Sequence, residues 1–194
     1  MASAAPRPAQ RARHLLSIEY GLFTVAVPGV MPLTTARPYH NGLVQAAPEA
    51  SKAEQGFVAV LRSAMRDDDI WITVEAWDTT PPLLNLDEWQ DAAEITIGWP
   101  GGQLRIVGTE DGPYPELPLD DDLPAGPYRL RVAGRNRDDG EARAPELPVE
   151  EYLLQLWPAV RKDAAGSPEE TGEVLLKATS ALGAHWRHVD RRQG

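Results

Sequence analysis

Residues 123–158 read LPAGPYRLRVAGRNRDDGEARAPELPVEEYLLQLWP, two strand-like segments on either side of a polar, proline-rich loop. In the first segment Tyr128, Leu130 and Val132 alternate with arginines. That period of two is typical of a strand with one packed face and one solvated face. In the second segment apolar residues fall on both faces, which predicts a position near the centre of a sheet. The stretch therefore predicts neighbouring β-strands, and it holds no nucleophile or metal-binding motif.

Short segments with the same alternation recur along the rest of the chain. LLSIEYGLFTVAV shifts its phase at Gly21, which predicts a bulge or bend. Two hairpins are expected. The first pairs residues 56–65 with 70–77 through a turn at 66–69. The second pairs residues 93–99 with 103–107 through a turn at 100–102. Seven to eight strands without helical periodicity between them predict an all-β fold, a two-layer antiparallel β-sandwich with one C-terminal α-helix.

The length of 194 residues suits one domain with appended ends. We predict three parts: a flexible leader rich in Arg, Pro and Ala over residues 1–14, the β-sandwich over 15–160, and over 161–194 a linker, a helix at about 168–182 and a basic tail. A capping signal, Ser167-Pro168-Glu169-Glu170, starts the predicted helix and Gly183 stops it. Its apolar stripe must pack on the sandwich or on a second copy, so a homodimer through this helix is one expectation.

Charge is unevenly distributed. The chain carries a net charge of −10, and residues 15–160 alone, with 10 basic and 24 acidic side chains, carry −14. Such a body repels nucleic-acid phosphates and attracts basic proteins, so direct binding of nucleic acid is not expected. Solubility is the alternative explanation of the acidity. The absence of cysteine, of a signal peptide and of an apolar run of roughly 20 residues predicts a cytoplasmic protein that does not enter a membrane.

Two acidic runs are the first candidate partner-binding residues. They lie in expected turns and comprise Asp67, Asp68, Asp69, Asp120, Asp121 and Asp122. Carboxylates at loop tips can meet a partner's lysines and arginines. Calcium binding and plain solvation are the alternatives, but neither run has the spacing of a known calcium loop.

Trp71 and Trp77 are the second candidate set, because they share the strand phase opposite Ile70 and Ile72. Exposed aromatic rings on a sheet face bind proteins or sugars. The alternative is that another element covers this face.

No catalytic, metal or cofactor site is expected. His185, His188 and Asp190 lie in the predicted tail without the spacing of a zinc site. No serine lies in a Gly-x-Ser-x-Gly turn, and Gly101-Gly102 lacks the lysine of a phosphate loop. The sequence therefore favours a binding protein over an enzyme.

Over residues 15–158 the order of segments resembles the competence protein J family. The matching segments are LSIEYGLFTV, QGFVAVLR, AEITI followed by GGQLRIVG, LPAGPYRLRV and EEYLLQLWP. The Arg-rich leader and the terminal helix have no counterpart in that pattern. The resemblance implies a small β-protein that binds and inhibits a basic protein, either a nuclease that acts on DNA as it enters the cell or a toxin. A carbohydrate- or small-ligand-binding sandwich that uses exposed tryptophans is the alternative function.

Overall fold

A computed structural model describes residues 6–19, 21–26, 41–47, 57–63, 67–107, 119–147, 149–159 and 172–193. In this part of the chain there are eleven strands and one α-helix. Their bounds are β1 Gln10–Glu19, β2 Leu22–Ala26, β3 Val44–Ala46, β4 Phe57–Arg62, β5 Asp67–Ala76, β6 Asp91–Trp99, β7 Gly102–Val107, β8 Leu119–Leu123, β9 Gly126–Arg135, β10 Glu151–Pro158, β11 Val174–Ala178 and α1 Ala181–Gln193.

The strands form two sheets. The six-stranded sheet has the order β1-β5-β10-β9-β6-β11, and the five-stranded sheet has the order β3-β4-β2-β7-β8. The predicted mostly-β fold is confirmed, and so is the central position of β10, which pairs antiparallel with β9. Two details are wrong: the strands exceed seven or eight, and β10 runs parallel to β5. Local alternation does not reveal which distant strands pair.

Apolar side chains from both sheets pack into one core, which makes the fold a two-layer sandwich. Leu130 on β9 and Leu154 on β10 are 2% and 1% exposed, on the inner face that the alternation predicted. Phe23 on β2 meets Tyr152 on β10 edge to face, with ring centroids 5.0 Å apart. This contact joins the two layers.

Neither predicted hairpin forms. β4 and β5 belong to different sheets, and so do β6 and β7. Each short connection carries the chain from one layer to the other instead of reversing it within a layer. At the second connection Gly101 and Gly102 have φ angles of 100° and 89°, which glycine adopts at little cost. The bend predicted at Gly21 is confirmed, since Gly21 (φ 65°) stands where the chain leaves β1 and enters β2 of the other sheet.

The leader is shorter than predicted. β1 begins at Gln10, which pairs with Ala76, so residues 10–14 are strand rather than flexible chain. Ala12 packs against the core between two arginines. Because alanine is only weakly apolar, the alternation over residues 10–14 does not stand out in the sequence.

The C-terminal helix lies later than predicted. Residues 160–171, with the expected capping signal, are outside the described residues, while 174–178 form β11 on the edge of β6. There β11 satisfies backbone groups that β6 would otherwise expose at the sheet edge. The helix begins at Ala181 because Ser180 caps it, with the Ser180 hydroxyl accepting from the N–H of Gly183 at 2.9 Å.

Gly183 thus lies inside α1 instead of ending it. His185, His188 and Asp190, expected in a tail, also belong to α1. In the described ranges no helix is both long and apolar enough to cross a membrane.

Candidate partner-binding surface

The outer face of the six-stranded sheet, turned away from the core, carries ion pairs. Glu94 on β6 accepts hydrogen bonds from Arg129 at 3.0 Å and Arg131 at 2.7 Å, both on β9. Burial alone would raise the pKa of Glu94, but the two guanidinium groups outweigh it and hold that pKa below its ordinary value of 4.5. Arg131 also donates to the carbonyl of Pro82 and is 3% exposed. The solvated face predicted for β9 is wrong at Arg131, because pairing allows its charge to be buried.

Trp71 lies on this outer face and is half-buried. The guanidinium of Arg13 is 4.4 Å from the centroid of the Trp71 ring, within the range of a cation–π contact. Arg13 also pairs with Glu151 at 3.3 Å, and Arg135 pairs with the same carboxylate at 2.6 Å. One face of the Trp71 ring is therefore occupied by Arg13 and is not an open platform.

Trp77 directly follows β5 and is buried, 9% exposed. Its indole N–H donates to Glu75 at 3.1 Å. Gln155 donates to the same carboxylate oxygen at 2.8 Å, and Arg11 pairs with Glu75 at 3.4 Å. Trp77 is therefore covered by other parts of the chain, as the alternative prediction states, and these contacts hold its ring in a fixed orientation.

The connection between β5 and β6 covers another part of the outer face. Trp89 at its end packs on Ala92 and Ala133, next to Leu84 and Leu153. The guanidinium of Arg135 lies 5.0 Å from the Trp89 ring centroid. A loop therefore shields this part of the sheet.

The two acidic runs lie in strands and not in turns, which corrects the prediction. Asp67, Asp68 and Asp69 begin β5 and pair with the end of β1, residues 17–19. Asp120, Asp121 and Asp122 form the middle of β8, the terminal strand of the five-stranded sheet. The runs thus belong to opposite sheets. Of the six, only Asp69 has a described side chain, which is half-buried.

A buried polar cluster around Arg137 was not found in the sequence. Arg137 is 0% exposed and donates to Asp91, to the Tyr152 hydroxyl at 3.2 Å and to the carbonyl of Gly42 at 3.2 Å. The Tyr152 hydroxyl in turn donates to Glu150. Burial raises the pKa of Tyr152 well above its ordinary value, so the phenol stays protonated at neutral pH. The cluster connects both sheets, and its charges are paired, as a structural role requires.

One cavity, which we call the end cavity, opens at one end of the sandwich. Its volume is about 260 Å³. Eight lining residues are apolar or aromatic: Ala9, Ala76, Trp77, Leu123, Pro124, Tyr128, Leu156 and Pro158. Gln10 and Asp78 add polar groups. Sequence reasoning missed this cavity because its walls come from four distant parts of the chain.

The side chains of the described ranges show no arrangement for metal chemistry. No three His, Cys, Asp or Glu residues there are grouped so that they could hold a metal ion. His185, considered above as a ligand, meets the ring of Trp186 at 5.3 Å between centroids. The arrangement as a whole presents contact surfaces: paired charges, a partly covered sheet face and a small apolar cavity.

Comparisons with known proteins add a fold-level likeness. No family model matches the chain, and no curated protein matches it in sequence. The crystal structure of ComJ from Bacillus subtilis, inhibitor of the DNA degrading activity of NucA, aligns with a TM-score of 0.50 and 17% identity, over 80% of this chain and 99% of that one. This chain has the fold of ComJ. The resemblance noted in the sequence is thereby confirmed for the fold, and ComJ is an inhibitor rather than an enzyme.

A second solved structure is also similar. Crocagin biosynthetic gene J aligns over 77% of this chain and 97% of its own, with a TM-score of 0.40 and 16% identity.

Proposed function

We propose that this chain is a non-enzymatic protein-binding module that inhibits a DNA-degrading nuclease. The observation that carries the proposal is the likeness to ComJ, which extends over 99% of that inhibitor. The same alignment covers 80% of this chain. An inhibitor needs a contact surface and no reacting groups, which agrees with the paired charges described above.

Charge supports the same proposal. A nuclease binds a polyanion and therefore presents a basic cleft, to which a chain of net charge −10 is attracted. The acidic runs 67–69 and 120–122, on opposite sheets, are the groups we propose to meet that cleft. The same charge disfavours direct binding of nucleic acid by this chain.

The alternative function, sugar binding through exposed tryptophans, receives less support. Trp77 is buried, and the guanidinium of Arg13 lies over the Trp71 ring. A sugar stacks on an open aromatic face, which the Arg13 contact at Trp71 and the burial of Trp77 disfavour.

The test captures the partner and assays its chemistry. Immobilised chain is exposed to extract from its source cells at low salt, and bound protein is eluted by raising the salt. We expect the eluate to degrade DNA and added free chain to suppress that degradation. A captured fraction without DNA-degrading activity, or activity that the chain leaves unchanged, contradicts the proposal.

A six-fold variant tests the proposed contact surface. It replaces six aspartates by Asn and so removes six charges: Asp67, Asp68, Asp69, Asp120, Asp121 and Asp122. We expect this variant to associate with the nuclease more slowly than the parent does, and the difference in association rate to shrink as salt is added. Sedimentation of the free chain decides separately whether two copies associate. The cytoplasmic location and the homodimer stay predictions.

A further inference from the structure

We infer that the end cavity binds one apolar side chain of a partner protein whose neighbouring residue is Lys or Arg. This inference rests on the proposed function and deepens it, because it names the part of the partner that is recognised. Tight interfaces concentrate their energy in a few anchor side chains that fill pockets. The end cavity has the walls, the size and the charge for such an anchor.

The walls are apolar because their polar atoms are already bonded within the chain. The Trp77 indole N–H donates to Glu75, and the Tyr128 hydroxyl donates to the carbonyl of Pro124 at 3.1 Å. Burial raises the pKa of Tyr128, so this hydroxyl stays a neutral donor. A guest in the cavity therefore meets mainly hydrocarbon and aromatic surface, which favours an apolar group.

The walls are also held in place before any partner arrives. The N–H of Trp77 donates to the carbonyl of Leu156 at 2.8 Å, and the N–H of Ala9 donates to the carbonyl of Ala76 at 2.8 Å. These bonds extend the sheet to the rim of the cavity. A preformed pocket on strands loses less conformational entropy on binding than a pocket formed by loops.

Size selects a single side chain. The volume of about 260 Å³ lies below the roughly 300–1,000 Å³ of pockets for drug-sized ligands. A leucine, methionine or phenylalanine side chain from a partner fits this description better than a free cofactor does.

Charge around the cavity selects the neighbour of that side chain. Asp78 lines the cavity and is exposed. A cationic residue beside the anchor is attracted to this carboxylate, while an acidic one is repelled. The preferred guest is therefore an apolar side chain next to a basic one, which a basic nuclease can supply.

The first experiment uses three dipeptides as probes. Their binding is followed through the NMR signal of the Trp77 indole N–H, which is assigned by its absence in Trp77→Phe. Acetyl-Phe-Arg-amide should shift that signal saturably. Acetyl-Ala-Arg-amide and acetyl-Phe-Glu-amide should bind at least about five-fold more weakly, because each lacks one of the two recognised groups. The absence of a saturable shift, or equal binding of all three, overturns the inference.

The second experiment blocks the cavity. Ala9→Trp places a large ring at its exposed rim and should abolish the shift, whereas Ala142→Trp, exposed on the loop between β9 and β10, should not. Asp78→Asn should weaken the binding of acetyl-Phe-Arg-amide by about two- to five-fold. Asp139→Asn, at an exposed position that does not line the cavity, should leave the binding unchanged. Unchanged binding in Ala9→Trp overturns the inference, and the peptide comparison on the unaltered chain still tests it if that variant unfolds.

The same variants separate this inference from the proposed function. If the chain inhibits a captured nuclease and Ala9→Trp inhibits it equally well, the cavity is not the anchor site and the proposed function stands. If the dipeptides bind as expected and no nuclease is captured, the cavity is a binding site and the proposed function is wrong.

Discussion

Gly42 and Gly183 lie in direct backbone contact: a Cβ atom at position 42 would overlap the carbonyl oxygen of Gly183. Gly42 precedes β3 of the five-stranded sheet, and Gly183 lies in the first turn of α1. A Cβ at Gly183 would in turn be 3.0 Å from both Asp91 and Ser180. The absence of side chains at both positions allows the helix to pack closely on the sandwich.

Gly42→Ala should therefore be destabilising for two reasons. Its φ of 75° is unfavourable for alanine, at about 1–2 kcal/mol, and the new methyl would overlap the backbone of Gly183. Gly102→Ala is the matched control, since its φ is 89° but nothing lies within 4 Å of a Cβ there. Urea unfolding should show the larger loss of free energy of unfolding in Gly42→Ala, and equal losses would mean that the contact is not close in solution.

Arg137→Met should cost about 3–5 kcal/mol of the free energy of unfolding, because it leaves the buried carboxylates of Asp91 and Glu150 without their cation. The double variant Arg137→Met with Asp91→Asn should recover part of that loss. Asn at position 91 keeps a side-chain oxygen that accepts from the N–H groups of Thr179 and Ser180. It also removes one uncompensated buried charge. Thermal or urea unfolding of both variants measures this, and no recovery in the double variant would show that charge is not the dominant cost.

Leu154→Ala should cost about 2–5 kcal/mol through lost burial and a residual cavity between the sheets. Leu83→Ala removes the same atoms from a side chain that is 91% exposed and should change stability by less than about 0.5 kcal/mol. Comparable effects of the two substitutions in urea unfolding would contradict the inner-face position of Leu154.

Glu94 should make stability depend on acid pH. Its pKa in the folded chain is lowered, so its ion pairs contribute stability above the unfolded value near 4.5, and that contribution is lost as pH falls through the folded value. The difference in free energy of unfolding between the parent and Glu94→Gln should therefore be largest at neutral pH and should shrink below pH about 4.5. Glu146→Gln, at an exposed loop position, is the control. A difference that does not vary with pH would exclude this role of the ion pairs.

Removing residues 1–14 should lower the melting temperature, because it deletes the half of β1 that pairs Gln10 to His14 with β5. Removing residues 1–7 leaves β1 intact and should have little effect. If both truncations melt like the parent, the first half of β1 adds nothing to stability.

The strands β9 and β10 were predictable because each alternates large apolar side chains over its length, and burial of one face fixes that pattern. The same alternation predicts the buried positions of Leu130 and Leu154, and its shift of phase predicts the bend at Gly21. Short connections are ambiguous in the sequence, because a link of two to four residues can reverse a strand within a sheet or carry the chain to the other layer. Only long-range pairing distinguishes these outcomes. β4 with β5, and β6 with β7, are the examples.

The candidate site was less predictable. The acidic run 67–69 looks like a turn by composition, yet it is held in β5 by pairing with residues 17–19 of β1. The Arg137 cluster and the end cavity each join parts of the chain that are distant in sequence, such as Gly42 with Arg137 and Gln10 with Tyr128. No local pattern marks such residues in advance.

The position of β8 at the end of the five-stranded sheet affects how copies of the chain meet. A terminal strand offers its backbone groups to any other strand, and such edges are where β-proteins add to one another and form aggregates. Here three of the five residues of β8 are aspartates, so two such edges can pair only by bringing six negative charges together. We therefore expect Asp120, Asp121 and Asp122 to oppose edge-to-edge association between copies of the chain, whichever partner the chain binds.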